Sequence, residues 1–334
     1  MCATVRRTSV RVAGIDCGTN SIRLLIAEVP GSGGEALHDV VRTMEIVYLG
    51  QGVDKNGVFA EPALERTLAA VADYARQCEK HEVESIRFAA TSATRDAANR
   101  DIFLDGVENL LGVRPQVLTG EQEAETSFSG ALSALETTGS SPILAIDLGG
   151  GSTELVLGTR AGKVLAEYSM NVGSVRMRER HLHADPPTPA QVAAARADVE
   201  RALDEAEKHV DLGAAAEVIG LAGTVTSVAA KWLDLETYDS EKIHGLRMPI
   251  SAVRDVCEWY IYSPRAEREA LGFMAPGRVP MIPSGALVWQ TVVNRIAQRV
   301  AAQGRELAAV RISEHDILDG LALWAAREPQ APRC

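Results

Sequence analysis

The chain has 334 residues, enough for two domains with a core each, and its 46% hydrophobic but only 4% aromatic content is that of a water-soluble α/β protein. A net charge of −11 argues against broad nucleic-acid binding, so a polyanionic substrate would have to be met by local arginines and a metal. No stretch approaches the ~18 consecutive apolar residues of a membrane helix, and five scattered cysteines (Cys2, Cys17, Cys78, Cys257, Cys334) without metal spacing suit reduced thiols in the cytoplasm.

In chain order, the N-terminus runs into a strand without the apolar core of a signal peptide. Residues 10–26 read as strand, loop, strand, a glycine turn follows at 31–34, and 39–49 complete a meander. After a turn-rich loop at 50–57, Glu61-Pro62 opens a helix to about Glu79, with Leu64, Leu68, Val71 and Tyr74 on one face. A buried strand at 85–90 delivers Thr91, Ser92 and Arg95 to its carboxyl end, where open α/β sheets present ligands. A helix at 101–111, a strand at 115–118 and a helix carrying Gln122, Glu123 and Glu125 complete the first half. A polar linker at 137–141 leads to strands at 143–157 and 164–169, a loop at 171–176, a proline-rich turn, and an alanine-rich helix to about His209. A strand at 217–220 enters Leu221-Ala222-Gly223-Thr224, and the remaining segments read as helical.

The chemistry concentrates at residues 146–157, IDLGGGSTELVL. An apolar strand ends in Asp147, Gly149, Gly150, Gly151 and Ser152 form a turn, and a second strand begins around Glu154. Consecutive glycines let backbone N–H groups face an anion, and a strand-end aspartate can hold a hydrated divalent cation over it. Alone, the stretch also reads as an ordinary glycine-rich hairpin. A second copy argues otherwise: residues 15–26, IDCGTNSIRLLI, match it at an offset of 131, pairing Asp16 with Asp147, Gly18 with Gly149 and Ser21 with Ser152. Arg23 stands where the second copy has Glu154. Two such hairpins would set two carboxylates and two backbone cradles across one cleft.

These segments, with ATSATRDAAN, TGEQEAETSFSGAL, GSVRMRER, LAGTVTS and SEHDILDGLAL, give the chain a resemblance to the exopolyphosphatase/guanosine pentaphosphate phosphohydrolase (Ppx/GppA) family. Its short form resembles the two-domain actinobacterial members. The resemblance implies a duplicated α/β fold of two actin-like ATPase (ribonuclease H-like) domains with an interdomain cleft, residues 1–136 and 137–334, the last helix near 314–327 packing back on the first domain. It implies a Mg²⁺- or Mn²⁺-dependent hydrolase that clips terminal phosphate from inorganic polyphosphate, in a cytoplasmic homodimer without nucleic-acid or membrane partners. The alternatives are a pppGpp 5′-phosphohydrolase or a non-catalytic phosphate or nucleotide sensor.

By the same resemblance Glu123 matches the catalytic glutamate that activates water, and Gln122 stands where many relatives have a second glutamate. Asp147 and Glu154 match acidic residues tied to metal and water, with Glu154 assigned here to catalysis and Asp16 and Asp147 to the metal. Asn20, Ser21, Arg95, Gly149, Gly150, Gly151, Ser152, Gly223 and Thr224 match phosphate-holding positions, and Arg23 would hold or gate the incoming chain. The sequence departs at Val279-Pro280, where relatives usually have Ala-Asp after the arginine. From spacing alone Glu123 would be a solvated helix face, flanked by Glu121 and Glu125. Two histidine signals carry less: His181 and His183 lack a third ligand, and His315-Asp316 lacks the partners of a metal-dependent hydrolase. Ser313 is expected to cap the last helix.

Overall fold

In the computed structural model, which describes residues 9–30, 37–133 and 141–328, the chain builds two mixed sheets in the same way twice. The turn at 31–34, the linker except Ser141, and Cys2 and Cys334 lie outside the described residues. The first half runs β1 (Ser9–Cys17), β2 (Ser21–Pro30), β3 (His38–Ile46), α1 (Val53–Asn56), α2 (Glu61–Lys80), β4 (Ser85–Ala90), α3 (Ser92–Asp96), α4 (Arg100–Leu111), β5 (Gln116–Val117) and α5 (Gly120–Ser133). The second runs β6 (Ile143–Leu148), β7 (Thr153–Gly158), β8 (Val164–Met170), α6 (Ser174–His181), α7 (Pro189–Ala206), β9 (Glu217–Leu221) and α8 (Ala222–Trp232). It continues with α9 (Ser240–Ile243), β10 (Arg247–Pro249), α10 (Ile250–Tyr262), α11 (Arg265–Glu269), α12 (Ile282–Ala302), β11 (Ala309–Ile312) and α13 (Ile317–Arg327).

The strand orders are β3-β2-β1-β4-β5 and β10-β11-β9-β6-β7-β8. In each, three strands form an antiparallel meander and the later ones add parallel to the first, except β10, which closes the second sheet antiparallel to β11; this is the ribonuclease H-like order duplicated in actin-like ATPases. The repeat persists to single residues. Asp16 lies opposite Arg23 and Asp147 opposite Glu154, and Gly18 N–H and Gly149 N–H each close their turn on a serine carbonyl, Ser21 or Ser152, at 3.0 Å.

Both sheets are covered on both faces, which is why β1 and β6 are apolar almost throughout. Along β1 the side chains alternate: Ala13, Ile15 and Cys17 face a core with Val71, Tyr74 and Phe103 of α2 and α4, while Val12 faces Leu318, Ala322 and Ala325 of α13. Along β6, Leu144, Ile146 and Leu148 face the large core with α8 and α12, and Ile143 and Ala145 face Ala124, Phe128 and Ala131 of α5. Each half therefore lends a helix to the other sheet. The two large cores each lie within one half, whereas smaller ones draw residues from both. Helix α13 is tied to the first sheet by Arg42 to Asp319 at 2.5 Å and by Ser85 Oγ donating to Ala325 O at 2.9 Å.

The structure corrects three expectations. The C-terminal portion is not wholly helical, because the short strands β10 and β11 complete the second sheet. The segment at 171–176 is a loop only to Gly173, since α6 starts at Ser174. Helix α13 is capped by Asp316 in a capping box with Asp319, while Ser313 Oγ bonds within the preceding turn.

Candidate active site

The carboxyl ends of β1, β4, β6 and β9 converge on a cavity of about 640 Å³ between the halves. Asp16, Asn20, Ser21, Arg23, Glu123, Asp147, Gly149, Gly150, Gly151, Ser152, Gly223 and Thr224 all line it; Arg95 and Glu154 do not. The structure thus unites most of the expected site.

The two hairpins meet head to head. A Cβ added to Gly151 would lie 2.6 Å from both Thr19 Oγ1 and Ser92 Oγ, so only glycine permits this approach. Their carbonyls are turned away from the cavity. Thr19 O accepts from Gly50 N–H, Asn20 O from Val47 and Tyr48 N–H, Gly149 O from Ser174 N–H, and Gly150 O from Val175 and Arg176 N–H. In a trans peptide the following N–H points the opposite way, so the amides of Asn20, Gly150 and Gly151 are turned toward the cavity side. Neither these nor Ser152 N–H has a backbone acceptor among the described residues. The buried atoms Thr19 Oγ1 and Asn20 Oδ1 also lack a partner among the described residues. Unpaired buried donors and acceptors at a cavity wall need a ligand or water.

A third wall is the start of α8. Ala222 has φ of +70°, an arrangement that costs an ordinary residue roughly 1–3 kcal/mol, and it turns β9 directly into the helix. No side chain caps α8, which leaves its first amides, beside Gly223 and Thr224, for an anion. Arg278 packs flat against Gly223, where any Cβ would collide with the guanidinium. It donates to Ser227 Oγ at 3.1 Å and reaches Met44 Sδ at 3.6 Å, with no carboxylate in ion-pair range among the described residues. Burial lowers its pKa, the mark of a cation short of a counter-charge. The sequence does not single out Arg278, although one signal is present: residues 270–305 contain no Asp or Glu.

The other arginines are already engaged. Arg23 donates to Asp16 Oδ2 at 2.8 Å and to Asp316 Oδ2 at 2.5 Å, so its charge is shared between two carboxylates. Arg95 bonds Glu123 Oε2 at 2.6 Å and Leu118 O at 2.8 Å. It stands behind the wall and holds Glu123 in place of reaching phosphate. Gln122 forms a capping box with Thr119 at the start of α5, which fixes the turn presenting Glu123.

The acids sit close in a dry environment. Burial raises Glu123, with Arg95 opposing, and burial raises Asp16 against Arg23. Burial, then the nearby Asp316, pushes Asp147 up to about 7 while Ser127 Oγ donates to it at 2.5 Å. Glu154 lies deeper, accepts from Ser169 Oγ at 2.7 Å, and is held toward its neutral form by burial and by Glu123 and Asp147. It lies opposite Asp147 on the β6–β7 ladder and does not line the cavity.

These oxygens fit a hard, hydrated divalent cation: Asp147 has one oxygen beyond its Ser127 bond, Asn20 Oδ1 has no partner among the described residues, and the cavity wall is crowded with acids. The described residues contain no group of three His, Cys, Asp or Glu able to cage a metal, so most ligands would be water and substrate oxygens. Asp16 is the poorer donor because Arg23 occupies Oδ2. His181 bonds Asp198 at 2.8 Å and plays no part here. One expectation follows from the sign of the shift. Folded Asp147 keeps its proton to about pH 7, whereas the unfolded chain releases it near 3.8, so the folded state binds more protons between these values. Stability from this group is complete in acid and lost as pH rises through about 7. Thermal denaturation of metal-free protein should give a higher Tm near ~pH 5.5 than near ~pH 8, with Mg²⁺ restoring the difference at the higher pH; a Tm indifferent to both would contradict the acidic-cluster account.

A family model described as the Ppx/GppA phosphatase family matches residues 25–309. Exopolyphosphatase 2 of Mycobacterium tuberculosis is 46% identical over 324 residues, covering 95% of this chain and 98% of that protein. A solved structure described as an exopolyphosphatase-like protein superposes with a TM-score of 0.92 at 44% identity, over 96% of this chain and 99% of its own. A Ppx/GppA family member from Aquifex aeolicus gives a TM-score of 0.76 at 25% identity, over 97% and 100%.

Proposed function

The chain belongs to the Ppx/GppA phosphatase family, and from that premise we propose that the cleft hydrolyses terminal phosphoric anhydrides. The protein is an exopolyphosphatase: it releases orthophosphate from the end of inorganic polyphosphate, with water as acceptor. One observation supports this reading at the residues: the Asn20 amide of one hairpin and the Gly150, Gly151 and Ser152 amides of the other, without backbone acceptors among the described residues, share a cavity with a buried glutamate.

Phosphoryl transfer to water asks for positioning and charge neutralisation more than covalent chemistry. The terminal phosphate would sit between the hairpins, its oxygens on the amides of Asn20, Gly150, Gly151 and Ser152 and on Thr19 Oγ1. Arg278 and the α8 amides would hold the next phosphate, where charge builds up on the leaving oxygen. Glu123, oriented by Arg95, would accept the proton of the in-line water, its raised pKa bringing it toward the range useful for a base. A Mg²⁺ or Mn²⁺ ion, held through Asp147 with help from Asn20 and more weakly Asp16, would neutralise phosphate oxygens. The arginines Arg23 and Arg42, each already on carboxylates, would shape the entrance. We place the protein in the cytoplasm as a homodimer. No helix among the described residues is long and apolar enough to cross a membrane.

Arg278 supplies a direct check. Arg278→Gln removes a cavity cation that has no carboxylate in ion-pair range among the described residues, and a charged hydrogen bond of about 1.5–3 kcal/mol corresponds to a roughly 10- to 100-fold rise in KM for polyphosphate. Steady-state kinetics with an unchanged KM would show that the guanidinium does not bind substrate.

A second reading, hydrolysis of pppGpp, is favoured by the outer wall. Met44, Phe273, Met274 and Pro276, with Tyr238 41% exposed at the rim, offer apolar surface that a phosphate chain cannot use but a nucleoside can. Competition settles the choice: pppGpp turned over at a higher kcat/KM than polyphosphate would make the guanosine compound the substrate.

A further inference from the structure

Beyond the cavity, one side chain ties the phosphate hairpin to both halves of the molecule. Arg176, on the first turn of α6, is only 9% exposed although it carries a charge. Its Nε donates to Gly151 O at 2.7 Å. The same guanidinium pairs with Asp54 of α1, and its Nη2 donates to Asp96 of α3 at 2.5 Å and to Ser92 Oγ at 3.3 Å. Asp54, Asp96 and Ser92 belong to the first half, whereas Gly151 and Arg176 belong to the second. Arg180, one turn on, adds two bonds to Asp54 at 2.7 and 2.9 Å.

The bond to Gly151 has a consequence inside the cavity. Three successive glycine carbonyls are pulled toward α6: Gly149 O by Ser174 N–H, Gly150 O by Val175 and Arg176 N–H, and Gly151 O by the Arg176 side chain. The first two bonds are backbone features of α6 that any sequence could keep. The third depends on a side chain, and it fixes the peptide that carries Ser152 N–H. Because C=O and N–H of a trans peptide are antiparallel, pinning Gly151 O outward aims Ser152 N–H inward.

We propose that Arg176 is a positioning residue that joins closure of the two halves to the aim of the Gly151–Ser152 peptide, so that the last amide of the cradle is presented only when the halves are clasped. This rests on the reading of the cleft as a phosphoanhydride hydrolase. A planar fork with five donors can serve Gly151 O, two carboxylates and a hydroxyl together; a lysine ammonium cannot span them. The amide so held contributes most when charge accumulates on the phosphoryl oxygens, so its loss should appear in kcat more than in ground-state binding.

The test compares Arg176→Lys with wild type and with Glu179→Gln. Glu179 contacts the Gly52 amide from the same helix without touching the loop. R176K is expected to lower kcat on polyphosphate at least about 30-fold with KM held within about threefold, while E179Q stays near wild type. A kcat within about threefold of wild type, a change confined to KM, or an equal loss in E179Q would each overturn the proposal. If R176K cannot be purified folded, Asp96→Asn loosens the same guanidinium at a half-exposed position, and an unchanged kcat there is equally fatal. Hydrogen–deuterium exchange separates this proposal from the reaction it rests on. Gly149 N–H, bonded to Ser152 O at 3.0 Å, should exchange at least about tenfold faster in R176K whether or not wild type releases phosphate. Unchanged exchange would reject the proposal, and an inactive wild type with the faster exchange would reject only the reaction.

Discussion

Glu123→Gln is expected to lower phosphate release from polyphosphate by about 10²- to 10⁴-fold while the protein folds normally. The substitution keeps the shape and the oxygen that Arg95 grips at 2.6 Å, and removes only basicity. Folding should not suffer. Burial already disfavours the Glu123 charge, and the neighbouring Asp16 adds to that cost, so a neutral amide relieves as much as it removes. Arg95 retains Leu118 O and is partly solvated, so its charge is not stranded. Single-turnover release combined with a thermal melt checks both halves of this expectation. Activity within about tenfold of wild type would mean that the water is activated elsewhere, with Asp147 the next candidate.

Asp147→Asn should give the second large effect, with activity and stability moving in opposite directions. Loss of the anionic oxygen beside the hairpin is expected to cost about 10²- to 10³-fold in activity and to raise the Mg²⁺ concentration needed for half-maximal rate. The metal-free variant should nevertheless melt higher than wild type near ~pH 8. At that pH the wild-type side chain, held up to about 7 by burial and by Asp316, is forced to ionise in a dry and already negative place. An asparagine keeps the bond from Ser127 Oγ without that charge. The stabilisation should fade near ~pH 5.5, where the wild-type carboxyl is protonated, and the Mg²⁺-induced rise in Tm should shrink in the variant. A variant that melts lower than wild type at both pH values would mean that the carboxylate is held by structural bonds and not destabilised by its neighbours. Such opposition between stability and activity is common where a site concentrates like charge.

Much of this arrangement was legible in the sequence because the duplication preserves register. Asp16 and Asp147 occupy the same ladder position, and the turn glycines at 18 and 149 make the same bond, so two short matching stretches at an offset of 131 residues mark the paired hairpins. Other features depend on partners distant in the chain. The apolar face of α5 shows that it is covered, but not that it packs on the other half's sheet. Strand β10 has three residues and β11 four, too short for an alternating pattern among long helices. The GSVR segment looks like a loop because Gly173 and Ser174 suit a turn, yet Ser174 opens α6 and Arg176 reaches 80 residues back to Asp96. The arginines divide in the same way. Arg95 is an anion candidate in one dimension and Arg278 is not; in the fold Arg95 is spent on Glu123, while Arg278 has no carboxylate in ion-pair range among the described residues.

The central claim is that two backbone cradles, Glu123 and Arg278 form one site for terminal phosphate hydrolysis. The most direct test is orthophosphate release by the wild-type protein from polyphosphate and from pppGpp, side by side, with and without Mg²⁺. The account predicts Mg²⁺-dependent release from polyphosphate at the higher kcat/KM. Tight binding of both compounds with no release from either would contradict it and leave the cleft as a phosphate sensor.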